Sequence, residues 1–207
     1  MKKLLTIYFF MLLTTLLTAQ VSKTIDVITA GTLSTLLTNE EKATITDITV
    51  TGSINSTDVN YLNSLVTLND LNLASSNIST NTFPAASFIN NTKLKSIILP
   101  TTLQTIGFSA FDGCSNLTNI EIPNTVTSIE SSVFQNCTSL ANITISNNVT
   151  NIGELAFYNC KSLLTIAIPN STVLAAGAFS NCSKLLRFIV QNENLNYTVI
   201  DGVLFSV

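Results

Sequence analysis

The chain has 207 residues, 9 Lys plus Arg against 12 Asp plus Glu, and a formal net charge of −3. A nucleic-acid interface needs a basic stripe, which is missing; with no histidine at all, Ser/His/Asp and Cys/His catalysis and most zinc chemistry are excluded. Charged residues are only 10% of the chain and hydrophobic ones 46%, so whether it folds depends on whether the apolar positions recur regularly.

At the amino terminus, Lys2 and Lys3 precede an apolar stretch from Leu4 to Leu17 and then Thr18, Ala19 and Gln20. That order matches the basic, apolar and small-residue regions of a secretory signal peptide. The apolar run is shorter than the ~20 residues that a membrane-spanning helix needs. Residues 1–19 are therefore expected to be a signal peptide, cleaved after Ala19 or Gln20. Cleavage removes Lys2 and Lys3, leaving 7 bases against 12 acids and a net charge of −5. No later stretch reads as a membrane span, so the mature chain is expected to be secreted or held at the cell surface.

Residues 21–65 read as an amino-terminal cap of mixed α and β structure. Thr32 to Leu37 and Thr38 to Ile45 look helical, with Thr38 and Glu41 at capping-box spacing. Ile45, Ile48 and Val50 predict a strand, and Ser56 to Leu65 a further helix. Leu65, Leu68, Leu71 and Leu73 then form a degenerate first repeat unit.

From residue 66 to 193 the chain repeats itself. Phe88, Phe111, Phe134, Phe157 and Phe179 are separated by 23, 23, 23 and 22 residues. Cys114, Cys137, Cys160 and Cys182 follow the last four at an offset of three, and Leu117, Leu140, Leu163 and Leu185 come three residues later. Two further apolar columns are Ile97, Ile120, Ile143, Ile166 and Phe188, and Leu99, Ile122, Ile145, Ile168 and Val190. Their alternation predicts a short strand in each unit with one face buried. Pro100, Pro123 and Pro169 end three of these strands. The segment from the Ala or Val before each Phe to the Cys, such as Ser132 to Cys137, reads as one short helical turn. One unit cannot bury its own apolar face, so the units must stack.

In residues 194–207, Asp201-Gly202 predicts a hairpin turn between apolar strands. The segment is either a carboxy-terminal cap or the start of a further repeat. Because it ends in an apolar strand without a polar closing element, we read the array as truncated at Val207.

Ala156, Phe157, Cys160, Leu163, Ile166, Ile168 and Pro169, with the Ile152-Gly153 and Ile106-Gly107 steps, closely resemble the BspA-like leucine-rich-repeat family. Departures are Glu130 after Ile129, Ser146 in place of Pro, and the shortened unit ending at Phe179. The resemblance covers roughly residues 65–205. The fold class expected is an α/β solenoid, a leucine-rich-repeat array of short parallel strands with one short helical turn per repeat and an α+β amino-terminal cap. For some members the family implies adhesion to host or matrix.

Asp112, Glu121, Glu130 and Glu154 fall at different positions in their units, so no catalytic residue is assigned and the chain is not expected to be an enzyme. The cysteines permit three readings: buried thiols, disulfides, or a metal site. Because each fills the same inward slot, we expect buried thiols and assign no metal or cofactor. Asn136, Asn159 and Asn181 are expected to bond loop backbone. Sequons such as Asn55-Ser56-Thr57, Asn116-Leu117-Thr118 and Asn196-Tyr197-Thr198 leave glycosylation open. Alternation turns Ser96 and Ile98, Asn119 and Glu121, Asn142 and Thr144, Thr165 and Ala167, and Arg187 and Ile189 away from the core. These two columns are the candidate binding face. A broad polar face without a deep pocket suits an extracellular or surface protein or a glycan. The alternative is a structural spacer or accessory array within a larger surface protein.

Overall fold

The computed structural model describes residues 20–190, 194, 196–200 and 203–207; the expected signal peptide and the Asp201-Gly202 turn lie outside them. The unit is a coil with three bonded sides, repeated side by side. Its first side is a strand of a parallel sheet that runs Ser22–Val27, Asp47–Ile54, Asp70–Asn72, Ser96–Ile98, Asn119–Glu121 and Asn142–Thr144, with Ser76–Ile78 paired to the far end of the second strand. Thr165–Ile168 and Arg187–Val190 form a two-stranded parallel sheet in the same positions of the next two units. Each pairing is between corresponding residues, such as Ile143 with Ile120.

The second side is a sheet that the sequence reading did not assign. Thr82–Phe83, Thr105–Ile106, Ser128–Ile129, Asn151–Ile152 and Val173–Leu174 pair in parallel order. Strands of two residues are too short to show alternation.

The third side is the predicted helical turn, realised as consecutive turns closed by bonds three residues apart. Within one unit Gln135 N–H donates to Ser132 C=O and Cys137 N–H to Phe134 C=O. The intervening amides reach the next unit instead: Ser132 N–H to Glu154 C=O, Phe134 N–H to Ala156 C=O and Asn136 N–H to Tyr158 C=O. Two amides thus close the turn and three tie it to the neighbouring unit, so most of the turn's backbone is paired. The geometry requires a left-handed residue twice per unit, at Ala86, Ser109, Ser132, Leu155 and Gly177, and at Asn90, Gly113, Asn136, Asn159 and Asn181. Asparagine and glycine tolerate that region best, which explains their recurrence immediately before the Cys position.

Inside, identical side chains stack on identical side chains. Phe83 and Phe111, Phe111 and Phe134, Phe134 and Phe157, and Phe157 and Phe179 stack with ring centroids 5.0, 5.5, 5.3 and 5.1 Å apart. Phe83 packs on this column from outside its register, since it pairs with Ile106; the column's own first ring is Phe88, stacked on Phe111 with centroids 5.8 Å apart. At the far end Phe188 meets Phe179 edge-on. The Leu and Ile columns are buried beside the rings, Ile143 being only half-buried.

The two ends differ. In the amino-terminal α+β unit, a short 3-10 turn at Leu33–Thr35 and helices at Asn39–Thr44 and Ser56–Ser64 stand close to the expected positions, and the Thr38–Glu41 capping box is present. Asp58 is 1% exposed and accepts from the backbone N–H groups of Gly31, Leu33 and Asn55, pinning the 3-10 turn to the second helix. At the other end Tyr197–Ile200 and Val203–Ser206 form an antiparallel hairpin. Side chains here bond the preceding unit: Leu174 N–H donates to the Tyr197 hydroxyl at 2.9 Å, Asn196 Nδ2 to Thr172 C=O and Asn194 Nδ2 to Pro169 C=O.

Truncating Phe134 to Ala would open a cavity in the middle of the ring column. Equilibrium urea unfolding should show a loss of roughly 3–5 kcal/mol, as for other buried phenylalanines, whereas Phe108→Ala, at an exposed ring, should stay within about 0.5 kcal/mol of the parent.

Candidate functional site: the strand face

All ten predicted face residues point away from the core. Ile98, Asn119, Glu121, Asn142, Thr144, Thr165, Ala167, Arg187 and Ile189 are exposed, and Ser96 is partly covered. Pairing aligns them in two columns: Ser96 beside Asn119 beside Asn142, Glu121 beside Thr144, and Thr165 beside Arg187. The columns also extend further than expected. Asp70 stands beside Ser96 and Asn72 beside Ile98; Asp47 and Thr49 continue them, followed by Ser22 and Thr24. These six residues were missed although Ile48, Val50, Leu71 and Leu73 carry the same alternation. Following it backwards from Ser96 would have found them.

The face is not flat. Ser96–Ile98 pairs with Asn119–Glu121 only at Ser96 and Asn119, and beyond that point a groove of about 670 Å³ opens, lined by Ile98, Thr101, Glu121, Pro123, Asn124 and Thr125 among others. A shallower concavity of about 200 Å³ continues from it over Asp47, Thr49, Asp70 and Asn72, and the two share Ser96 and Ile98. Within it Ser96 Oγ donates to Asp70 Oδ1. Hydroxyls, amides and carboxylates lie here at strand spacing, a surface able to make many shallow hydrogen bonds.

The remaining candidates are built into the scaffold. Each thiol donates to the Phe carbonyl of the preceding unit: Cys114 to Phe88, Cys137 to Phe111, Cys160 to Phe134 and Cys182 to Phe157, at 3.1–3.2 Å. All four are free, and three are fully buried. Burial pushes Cys114 up to about 12 and Cys137 well above its ordinary value. Cys160 is raised by its hydrogen bond with Cys182 and by burial, and the same bond lowers Cys182. The asparagines bond one another and neighbouring side chains rather than loop backbone. Asn159 Nδ2 donates to Asn136 Oδ1 at 2.8 Å, Asn136 Nδ2 to Asp112 Oδ1 at 3.1 Å and Asn181 Nδ2 to the Tyr158 hydroxyl at 2.8 Å. Among the described residues, no group of three His, Cys, Asp or Glu side chains could hold a metal ion.

Stacked parallel strands, a ring and thiol core and one open strand face define a leucine-rich-repeat solenoid. The chain belongs to the BspA-type leucine-rich-repeat family, whose model matches residues 81–206 in 6 copies. Solved structures agree. A leucine-rich repeat protein of T. pallidum is 33% identical with a TM-score of 0.51, over 52% of this chain and 50% of that one. One from Bacteroides ovatus is 25% identical with a TM-score of 0.58, over 72% and 38%, and the pneumococcal vaccine antigen PcpA is 25% identical with a TM-score of 0.56, over 78% and 34%. The chain thus spans half or less of the length of these relatives. No curated protein matches it.

Thiol chemistry tests the register. At pH 8 an aromatic disulfide reagent should label Cys182 first, and Cys114, Cys137 and Cys160 only on unfolding. Because the folded thiols at Cys114 and Cys137 titrate above the unfolded value of 9.0, their contribution is intact below pH 9. It is lost as pH rises toward about 12, so melting temperature should fall across that window.

Proposed function

We propose that this is a secreted or cell-surface repeat protein that binds a protein or glycan partner through its strand face, in an adhesion-type interaction, and that it is not an enzyme. The observation that carries the reading is the face itself: two outward-facing columns of mainly polar residues from Ser22 and Thr24 to Glu121 and Thr144, partly covered at Asp47, Thr49, Asp70, Asn72 and Ser96 and exposed elsewhere, with a groove along them. On the turn side Asn136 and Asn159 bond side chains of the neighbouring unit instead. Export is supported by the order of residues 2–20, and no helix among the described residues is long and apolar enough to cross a membrane. The likeness to a vaccine antigen supports presentation outside the cell. The absence of histidine from the sequence and the dispersal of Glu121, Glu130 and Glu154 over different positions support a scaffold.

The test is a screen of the chain from Gln20 onward against extracellular-matrix proteins and a glycan array. Any hit should weaken at least about tenfold, or 1.4 kcal/mol, when Asn119, Glu121, Asn142 and Thr144 are changed together to Ala. Binding that survives those four changes removes the strand face as the site. No hit at all turns the weight to a spacer role.

A further inference from the structure

The binding reading leaves the partner's chemistry open, and the inference below rests on it. The two concavities of the strand face meet at Ser96 and Ile98, so they form one groove crossing the strands that begin at Ser22, Asp47, Asp70, Ser96 and Asn119. Four strand spacings give a length of ~19 Å, which holds about six residues of extended chain at ~3.3 Å each. Its lining carries three carboxylates, Asp47, Asp70 and Glu121, and neither lysine nor arginine. Arg187 stands in the same column, but three spacings beyond Asn119, or ~14 Å, further than the ~8 Å over which exposed charges act at physiological salt. Lys95, just ahead of the Ser96 strand, is the nearest base in sequence. At the join of the two concavities lies Ile98, an aliphatic side chain 54% exposed between the acids at Asp70 and Glu121.

We propose that this groove takes an extended cationic peptide segment of a partner protein, with lysine or arginine heads at Asp70 and Glu121 and their methylene stems across Ile98. The match is one of both charge and shape. Long basic side chains are apolar along the stem and charged only at the tip, so one residue can cover an exposed isoleucine and still reach a carboxylate beside it. Asp70 and Glu121 lie two strands apart and two residues apart along the strand, ~12 Å on the diagonal, which extended-chain residues three or four apart span. An anionic glycan would meet three like charges, and a neutral one would leave the carboxylates without a counter-charge.

Fluorescence anisotropy with a labelled six-residue peptide alternating lysine and valine tests this, using the chain from Gln20 onward. The glutamate–valine peptide should not bind, and binding should weaken as salt rises. Asp70→Asn and Glu121→Gln should each weaken binding about twofold to fivefold, as for exposed ion pairs, and together about tenfold. Glu154→Gln, off the strand face, should change nothing. Glu121 is exposed, so E121Q keeps the test valid should D70N disturb the bond to Ser96. Equal binding of the glutamate peptide, no binding of the lysine peptide, or an equal loss with E154Q overturns the proposal. If the lysine peptide fails while a matrix protein or glycan still binds in a manner sensitive to Asn119 and Asn142, the strand face remains the site and only the cationic occupant is wrong.

Discussion

Lateral registry between corresponding residues holds this molecule together. A single unit of 22 or 23 residues leaves alternate turn amides, such as those of Ser132, Phe134 and Asn136, without partners and both faces of its ring uncovered. The next unit, having the same sequence columns, supplies a carbonyl for Phe134 N–H from Ala156, and a ring for Phe134 from Phe157. Hydrogen bonding and apolar burial therefore impose the same register, and neither is satisfied if a unit slips by one residue. The shortened unit ending at Phe179 keeps the registry because its left-handed positions, Gly177 and Asn181, and its ring all shift together.

That constraint also decides what is left for chemistry. Thiols that could be reactive are turned inward to fill the second acceptor site of a Phe carbonyl, and desolvation keeps most of them protonated. Amides that could recognise a ligand form a chain from Asp112 through Asn136 to Asn159. The outward strand positions are different. Alternation sends their side chains away from the coil, stacking makes no demand on their identity, and they are free to vary. The acids at Asp47, Asp70 and Glu121 and the amides at Asn72, Asn119 and Asn142 occupy those positions.

The two ends of the described array are built differently. At the amino-terminal end the strand Ser22–Val27 brings Ile25 and Val27 into the core, and Asp58 collects the loose amides of the adjoining turn. At the other end Asn194, Asn196 and Tyr197 bond, through their side chains, two carbonyls and an amide of the preceding unit. The column of stacked rings closes with Phe188 turned edge-on against Phe179.

The array, its register and the inward and outward sense of each strand were legible in the sequence, because a solenoid writes its contacts as spacings: residues 23 apart are neighbours in space. The ten face residues could be named for the same reason. Other features had no such signature. A two-residue strand is shorter than one period of alternation, so the second sheet was invisible. The left-handed turn positions accept Ser, Ala and Leu as well as Asn and Gly once neighbouring bonds compensate, so composition did not mark them. The groove at Ile98 depends on how far two adjacent strands part after a single shared pair, a distance that no spacing in the chain encodes. Sequence periodicity thus determined which side chains meet inside. Only the three-dimensional stacking decided how the outward ones are spaced and where the surface between them is hollow.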